Sequence, residues 1–188
     1  MTLPNKLTMI RIAVIPLMIV LCYIPWLKEN TLFLGVSWLY FLLVILFILA
    51  SVTDFLDGAI ARKYQLITTF GKLADPLADK MLVFTAMTVL MMDGFIPMWV
   101  YIVILIREFM VSGIRMVVIE KGTVIAAAKL GKWKTFVTMV AIIVLFFSGL
   151  HEIIEIIGTV LIYLACALTI LSGIEYFYNN RKDILESI

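Results

Sequence analysis

Four aspartates, Asp54, Asp57, Asp75 and Asp79, stand in one stretch of 26 residues, each flanked by long apolar runs. A carboxylate beside hydrocarbon costs several kcal/mol unless something compensates it. Four at regular spacing call for a shared compensating agent, and a divalent cation is the simplest. Asp54 and Asp57 are three apart and Asp75 and Asp79 four apart, so each pair shares one face of a helix. Two antiparallel helices would bring the pairs together. Hard divalent cations take oxygen ligands, and Mg²⁺ combines one or two carboxylates with phosphate oxygens and water. Two metals held by four carboxylates would suit phosphoryl transfer, polarising the phosphate and helping the leaving group.

Small residues accompany the acids. Gly58 lacks a side chain, so a flat group can approach the backbone there, and Ala61 lies three residues on; Gly71 stands ahead of the second pair. The same strip would also serve close helix packing in a membrane. Beside four aspartates it reads as a nucleotide seat. Arg62, Lys63, Lys72 and Lys80 could instead neutralise the acids as plain ion-pair partners, a reading that does not require the fixed Asp-Gly-x-x-Ala-Arg order.

The elements that must position these residues are membrane helices. Of 188 residues 64% are hydrophobic and 15% charged, and mean hydropathy is +1.13. Soluble domains sit near 45–50% apolar and about 25% charged. Six apolar segments approach or exceed the ~20 residues that cross a bilayer: 7–26, 34–60, 72–92, 96–120, 132–150 and 153–178. The expectation is a single all-α integral membrane domain, 1–188, with six transmembrane helices. Alternate connectors differ in charge. One set carries Lys6, Arg62, Lys63, Lys72, Lys121, Lys129, Lys132, Lys134, Arg181 and Lys182, and the other carries Lys28. The positive-inside rule then places both termini, and the aspartates, on the cytosolic side.

Pro76 suits the first turn of a helix or a kink. Trp26, Trp38 and Trp99 fall at the opposite, outer boundary, where interfacial aromatics gather. Cys22 and Cys166 lie in apolar runs and read as buried thiols, not a disulfide framework. The first apolar run lacks a cleavage pattern and is expected to remain as a membrane helix. The chain shows no convincing internal repeat, which argues against a cation transporter built from repeats around a midplane site. A non-catalytic membrane scaffold is the third alternative.

The pattern D-x2-D-G-x2-A-R-x8-G-x3-D-x3-D resembles the signature of the CDP-alcohol phosphotransferases, and Asp54, Asp57, Gly58, Ala61, Arg62, Gly71, Asp75 and Asp79 fill every fixed position. The resemblance implies that an alcohol attacks the β-phosphate of a CDP-linked lipid and CMP leaves. It implies that the four aspartates bind two ions, Mg²⁺ or Mn²⁺, and that Asp79 also acts as the base. It further implies a homodimer in which each copy holds its own site. A positioned base suits a hydroxyl, a weak nucleophile at neutral pH, and phosphoryl transfer needs its charge neutralised.

Acceptors in this family include glycerol 3-phosphate, inositol phosphate, serine, choline and phosphatidylglycerol. Asn5-Lys6-Leu7-Thr8-Met9-Ile10-Arg11, Arg107-Glu108 with Ser112-Gly113-Ile114-Arg115, and Gly131-Lys132-Trp133-Lys134-Thr135 resemble the branch that makes phosphatidylglycerophosphate from CDP-diacylglycerol and glycerol 3-phosphate. One departure is Thr138, where that branch often carries Gln. The implied enzyme sits in the plasma membrane among its lipids, faces the cytosol and has no nucleic-acid partner. An anionic acceptor needs cations, and Arg107, Arg115, Lys132 and Lys134 are the expected set. Three of them have a plainer reading: an ion pair with Glu108 for Arg107, topology or lipid headgroups for the lysines; Arg115 has no nearby acid in sequence and is read as substrate-binding. Asn5 and Thr8, together with Gly58, Ala61, Arg62 and Gly71, are assigned to the CDP donor, although Asn and Thr also cap helices. Arg11 serves the diphosphate or snorkels to the interface. His151 receives no catalytic role.

Overall fold

The computed structural model describes residues 3–64, 69–120, 129–179 and 181, and their side chains apart from those of 3–6, 33, 55–64, 69–73, 115–120 and 129. Among the described residues, six long helices account for the expected segments: α1 Leu3–Cys22, α3 Trp38–Tyr64, α4 Thr69–Met92, α5 Met98–Glu120, α6 Lys129–Phe146 and α7 Glu152–Asn179. Their lengths run from 18 to 28 residues.

The differences from expectation sit at the ends. The first apolar run does not continue to residue 26. It stops at Cys22, and a five-residue helix, α2 Pro25–Glu29, starts where Pro25 supplies the fixed φ of a first turn. The second run is not helical from residue 34. Two short antiparallel strands, β1 Thr31–Phe33 and β2 Val36–Ser37, turn through Leu34 and Gly35, both at positive φ. Gly35 is required twice over. Its φ is +90°, and a Cβ there would stand 2.3 Å from the carbonyl oxygen of Gly149. Gly149 belongs to the 3-10 turn Ser148–Leu150 that joins α6 to α7, so two glycines let the hairpin and this turn touch backbone to backbone. Pro76 lies well inside α4, seven residues past its start.

Apolar spacing explains the packing. On α1, Ile15 and Met18 are buried together with Thr8 and Arg11, a three–four–three stripe that meets α3 and α4. On α6, Ala141, Ile142, Leu145 and Phe146 continue a buried face that begins at Lys134 and Thr138, and this face packs along α7 through Ile162, Ala165, Cys166 and Thr169. The shared core includes Leu39, Leu43 and Phe47 of α3, Leu82, Met87 and Leu90 of α4, and Val100 and Ile104 of α5.

The surface is the inverse of a soluble protein's. Ile153, Ile156, Val160, Leu164, Leu171 and Ile174 stand exposed along α7, and Ile19, Val20, Leu49, Ile106 and Phe109 along α1, α3 and α5. Exposed apolar area on this scale marks a lipid or partner surface. Among the described residues α7 is the helix long and apolar enough throughout to cross a membrane. Over their described side chains α1 and α3 carry the apolar stretches Leu7–Cys22 and Trp38–Asp54.

The end of the bundle away from the aspartates is held by a small polar cluster. Asp93 accepts from the Tyr40 hydroxyl at 2.7 Å and forms an ion pair with Lys28. The His151 ring accepts from the Ile153 amide at 3.1 Å and so caps the start of α7, a structural part for a residue given no catalytic one. Both cysteines are free thiols, and Cys22 donates to the Met18 carbonyl.

Candidate active site

Three of the four aspartates have described side chains, and they come together at one end of the bundle. Asp54 continues the buried face of α3, one turn beyond Ala50. Asp75 and Asp79 lie on α4. Asp54 is close enough to Asp75, and Asp79 to Asp54, for their charges to act on each other. The side chains of Asp57, Gly58, Ala61, Arg62 and Gly71, and of Asn5 and Arg115, lie outside the described ones; their backbones are helical, on α3, α4, α1 and α5.

Helix α1 supplies the first compensation. Arg11 is wholly buried, and its guanidinium meets the Asp54 carboxylate at 2.7 Å. It does not snorkel. Thr8, three residues earlier on the same face and also wholly buried, donates its hydroxyl to Asp75. Thr8 is therefore not a helix cap, since α1 begins at Leu3. α1 thus clamps both aspartate-bearing helices, one hydrogen bond to α4 and one ion pair to α3.

Asp79 is different. Its Oδ1 is buried and has no hydrogen-bond partner among the described residues. A buried carboxylate oxygen without a donor is unfavourable by 1–3 kcal/mol or more. Among the described residues no three acids are grouped closely enough to hold a metal ion by themselves; the orphaned oxygen, within reach of the Asp54 charge, is the kind of donor a hard divalent cation takes. Asp54, Asp75 and Asp79, with Asp57 as the fourth member expected from the sequence, are the residues that would hold one. When bound, such an ion neutralises charge on phosphate oxygens.

Asp79 also opens onto a cavity of about 630 Å³. Its wall includes Lys80, Arg107, Glu108, Lys132, Lys134, Thr135 and Ser172. The cavity therefore joins the aspartate cluster to three of the four cations expected at an acceptor's phosphate. Their arrangement answers the alternative readings. Arg107 does pair with Glu108, donating from Nη1 to Oε1 at 3.0 Å, but it faces the cavity as well and donates from Nη2 to Ser172 Oγ at 3.0 Å. Ser172 in turn donates to the Thr169 carbonyl. Gly173 lets Arg107 lie flat on α7, where a Cβ would stand 3.3 Å from its stem. Lys134 is buried, not a solvated topology signal, and it donates to the same Glu108 Oε1. Lys132 is exposed at the rim. Thr138, the departure from the expected Gln, is buried on the next turn and donates to the Lys134 carbonyl at 2.8 Å. It also lines a small recess of about 40 Å³ with Asp79, Glu108 and Lys134.

Sequence reasoning left Arg11 between two uses and did not assign Glu108, Lys80 or Ser172 to the pocket. The signal for Arg11 was present, because Thr8, Arg11, Ile15 and Met18 form one stripe. Ser172 carried none, being 65 residues from Arg107.

Comparison with known proteins decides the family. The model of the CDP-alcohol phosphatidyltransferases matches residues 1–171. The chain belongs to the CDP-alcohol phosphatidyltransferase family. It is 40% identical over 189 residues to a Bacillus subtilis (strain 168) protein named CDP-diacylglycerol–glycerol-3-phosphate 3-phosphatidyltransferase, with 98% of each chain covered. It is 40% identical over 179 residues to a Rickettsia typhi protein of the same name, covering 93% of this chain and 94% of that one. A Wigglesworthia glossinidia brevipalpis protein, again of that name, is 32% identical over 192 residues, covering 100% and 99%. Membership makes this chain a membrane-bound transferase of phospholipid synthesis, in keeping with the exposed apolar surface of α7.

Proposed function

We propose that the enzyme transfers the phosphatidyl group of CDP-diacylglycerol to glycerol 3-phosphate, giving phosphatidylglycerophosphate and CMP. The observation that carries the acceptor is the cavity that sets Asp79 opposite Arg107, Lys132 and Lys134. A cationic acceptor such as choline would bring like charge to a pocket walled by Arg107, Lys132 and Lys134, and three relatives matched along nearly their whole length bear this activity in their names.

In this reading the acceptor hydroxyl points to Asp79 and its phosphate to the cations. Asp79 takes the hydroxyl proton as the new phosphorus–oxygen bond forms at the β-phosphate. The bond between that phosphorus and the bridging oxygen breaks, and CMP leaves with that oxygen. Asp54, Asp57, Asp75 and Asp79 hold two divalent ions, Mg²⁺ or Mn²⁺. Asn5, Thr8, Gly58, Ala61, Arg62 and Gly71 seat the donor's CDP group, and Arg115 joins the acceptor cations. The six long helices are six spans with both termini and the site on the cytosolic side of the plasma membrane, supported by the charge asymmetry of the connectors. Two copies associate, each with its own site.

The test is CMP release by purified enzyme with CDP-diacylglycerol and each of glycerol 3-phosphate, inositol phosphate, serine and phosphatidylglycerol. Release with glycerol 3-phosphate is expected to be the fastest of the four and to exceed that with serine by ~100-fold or more, because serine brings no phosphate to the cations of the pocket. Release with serine or inositol phosphate but not glycerol 3-phosphate would overturn the acceptor. Divalent-ion flux in liposomes without CMP release would favour a transporter.

A further inference from the structure

Glu108 is an anion set inside a pocket whose proposed ligand is an anion. Its Oε1 accepts from Arg107 of its own helix and from Lys134 of α6, so two cations from different helices converge on one oxygen. All three side chains are largely buried, and all three wall the cavity beside Asp79. Two convergent cations around one anionic oxygen is the environment that a phosphate oxygen seeks.

We propose that Glu108 is a built-in counter-anion that holds Arg107 and Lys134 poised in the empty acceptor pocket and competes with the acceptor's phosphate for them. This rests on the acceptor pocket assigned above. Without Glu108 two buried like charges would face each other across α5 and α6. With it, they stay in place, and the trio carries a net charge of +1 instead of +2. A phosphate entering the cavity takes over Lys134, whose ammonium sits on a long flexible stem, while Arg107 stays tethered by Ser172. Glu108 thereby prevents a phosphate from being gripped too tightly to leave, which matters because the product retains the acceptor's phosphate. It is a positioning residue, touching the cations and not the reacting atoms.

The reasoning makes a prediction opposite in sign to that of a purely structural ion pair. Glu108→Gln keeps the shape and removes the like charge, so anions should bind more tightly. The probe is inorganic phosphate, measured as a competitive inhibitor against glycerol 3-phosphate in the CMP-release assay. The expected result is a fall in its inhibition constant of about tenfold, with a fall in KM for glycerol 3-phosphate and a lower kcat as product release slows. One like charge removed within a few ångströms of a phosphate is an unfavourable interaction lost even under strong screening.

A rise in both constants, or no change, would overturn the proposal and leave Glu108 as structural support. Glu108→Asp provides the second arm if the Gln variant does not fold. It keeps the charge but draws it back by one methylene, and it should shift the inhibition constant down by a smaller factor; a rise or no change there would overturn the proposal equally. If inorganic phosphate does not compete even in the unaltered enzyme, the acceptor pocket itself is misplaced, and the Glu108 proposal falls with it. Competition in the unaltered enzyme without tightening in either variant sinks the Glu108 proposal alone.

Discussion

Replacing Arg11 by methionine tests whether helix α1 is part of the site's electrostatics or merely packs beside it. Methionine fills much of the buried length of the arginine stem and removes the charge that lies 2.7 Å from Asp54. Removing one partner of a fully buried ion pair costs about 3–5 kcal/mol, whereas an exposed pair is worth about 0–1 kcal/mol. This pair lies between those limits, because the Arg11 side chain is fully covered while that of Asp54 is 35% exposed. Water can partly solvate the abandoned carboxylate, which places the loss at about 2 kcal/mol. At ~2–4 °C per kcal/mol for a chain of this size, Tm should fall by roughly 4–8 °C.

The informative part is the dependence on divalent cation. If Asp54 is a ligand in the proposed metal site, a bound cation supplies the positive charge that Arg11 no longer does. The Tm deficit of Arg11→Met should then be largest in chelator and shrink to less than half at saturating Mg²⁺ or Mn²⁺. Thermal unfolding of detergent-purified protein across a metal titration reads both quantities. A deficit of the same size at every metal concentration would refute the shared role of Asp54, and no deficit in chelator would refute the buried ion pair itself. Arg11→Lys, which keeps the charge but loses the planar fork, should fall between the parent and the Met variant.

Asp79→Asn should lower CMP release by at least ~100-fold, the scale of a lost general base, with Tm held or raised, because the buried Oδ1 no longer carries charge; release within threefold of the parent would exclude Asp79 as base. The two glycine turns separate strain from collision. Gly94→Ala, at φ +87° with no atom near its added Cβ, should cost about 1 kcal/mol. Gly35→Ala has the same backbone problem plus a Cβ 2.3 Å from the Gly149 carbonyl oxygen, and should lower Tm by at least twice as much; equal shifts would mean that the hairpin is not held against the 3-10 turn. Tyr40→Phe removes the hydroxyl that donates to Asp93 and should cost about 1 kcal/mol, seen as a Tm shift with CMP release unchanged, because this cluster stands at the opposite end of the bundle from Asp79.

The helices were legible in the sequence because hydropathy is a one-dimensional signal. All six long segments begin and end within four residues of the expected boundaries, and the largest departures have local causes. The first helix stops short because Pro25 restarts the chain as a separate turn, and the second starts late because Leu34-Gly35 makes a hairpin. Neither break interrupts the apolar run, so hydropathy passed over both. Pro76 left two readings open, a first turn or a position within the helix, and the structure places it inside α4.

The candidate site was legible in a different way. The aspartate motif identified the reacting end of the molecule, but a motif names residues along the chain and not what closes over them. Arg11, Glu108 and Ser172 reach their partners across helix boundaries, over 43, 26 and 65 residues to Asp54, Lys134 and Arg107 respectively. Those contacts decide how charge is distributed. Asp54 and Asp75 are each given a donor from α1, while Asp79 Oδ1 is left without one among the described residues. A hydrogen bond donated to a carboxylate makes it a weaker base. Of the three described aspartates, the one whose Oδ1 is left without a donor is also the one that opens onto the cation-lined cavity. Spacing in the sequence cannot distinguish Asp75 from Asp79 in this respect, because both sit on the same helical face. The distinction comes from α1, whose Thr8 reaches the first and not the second.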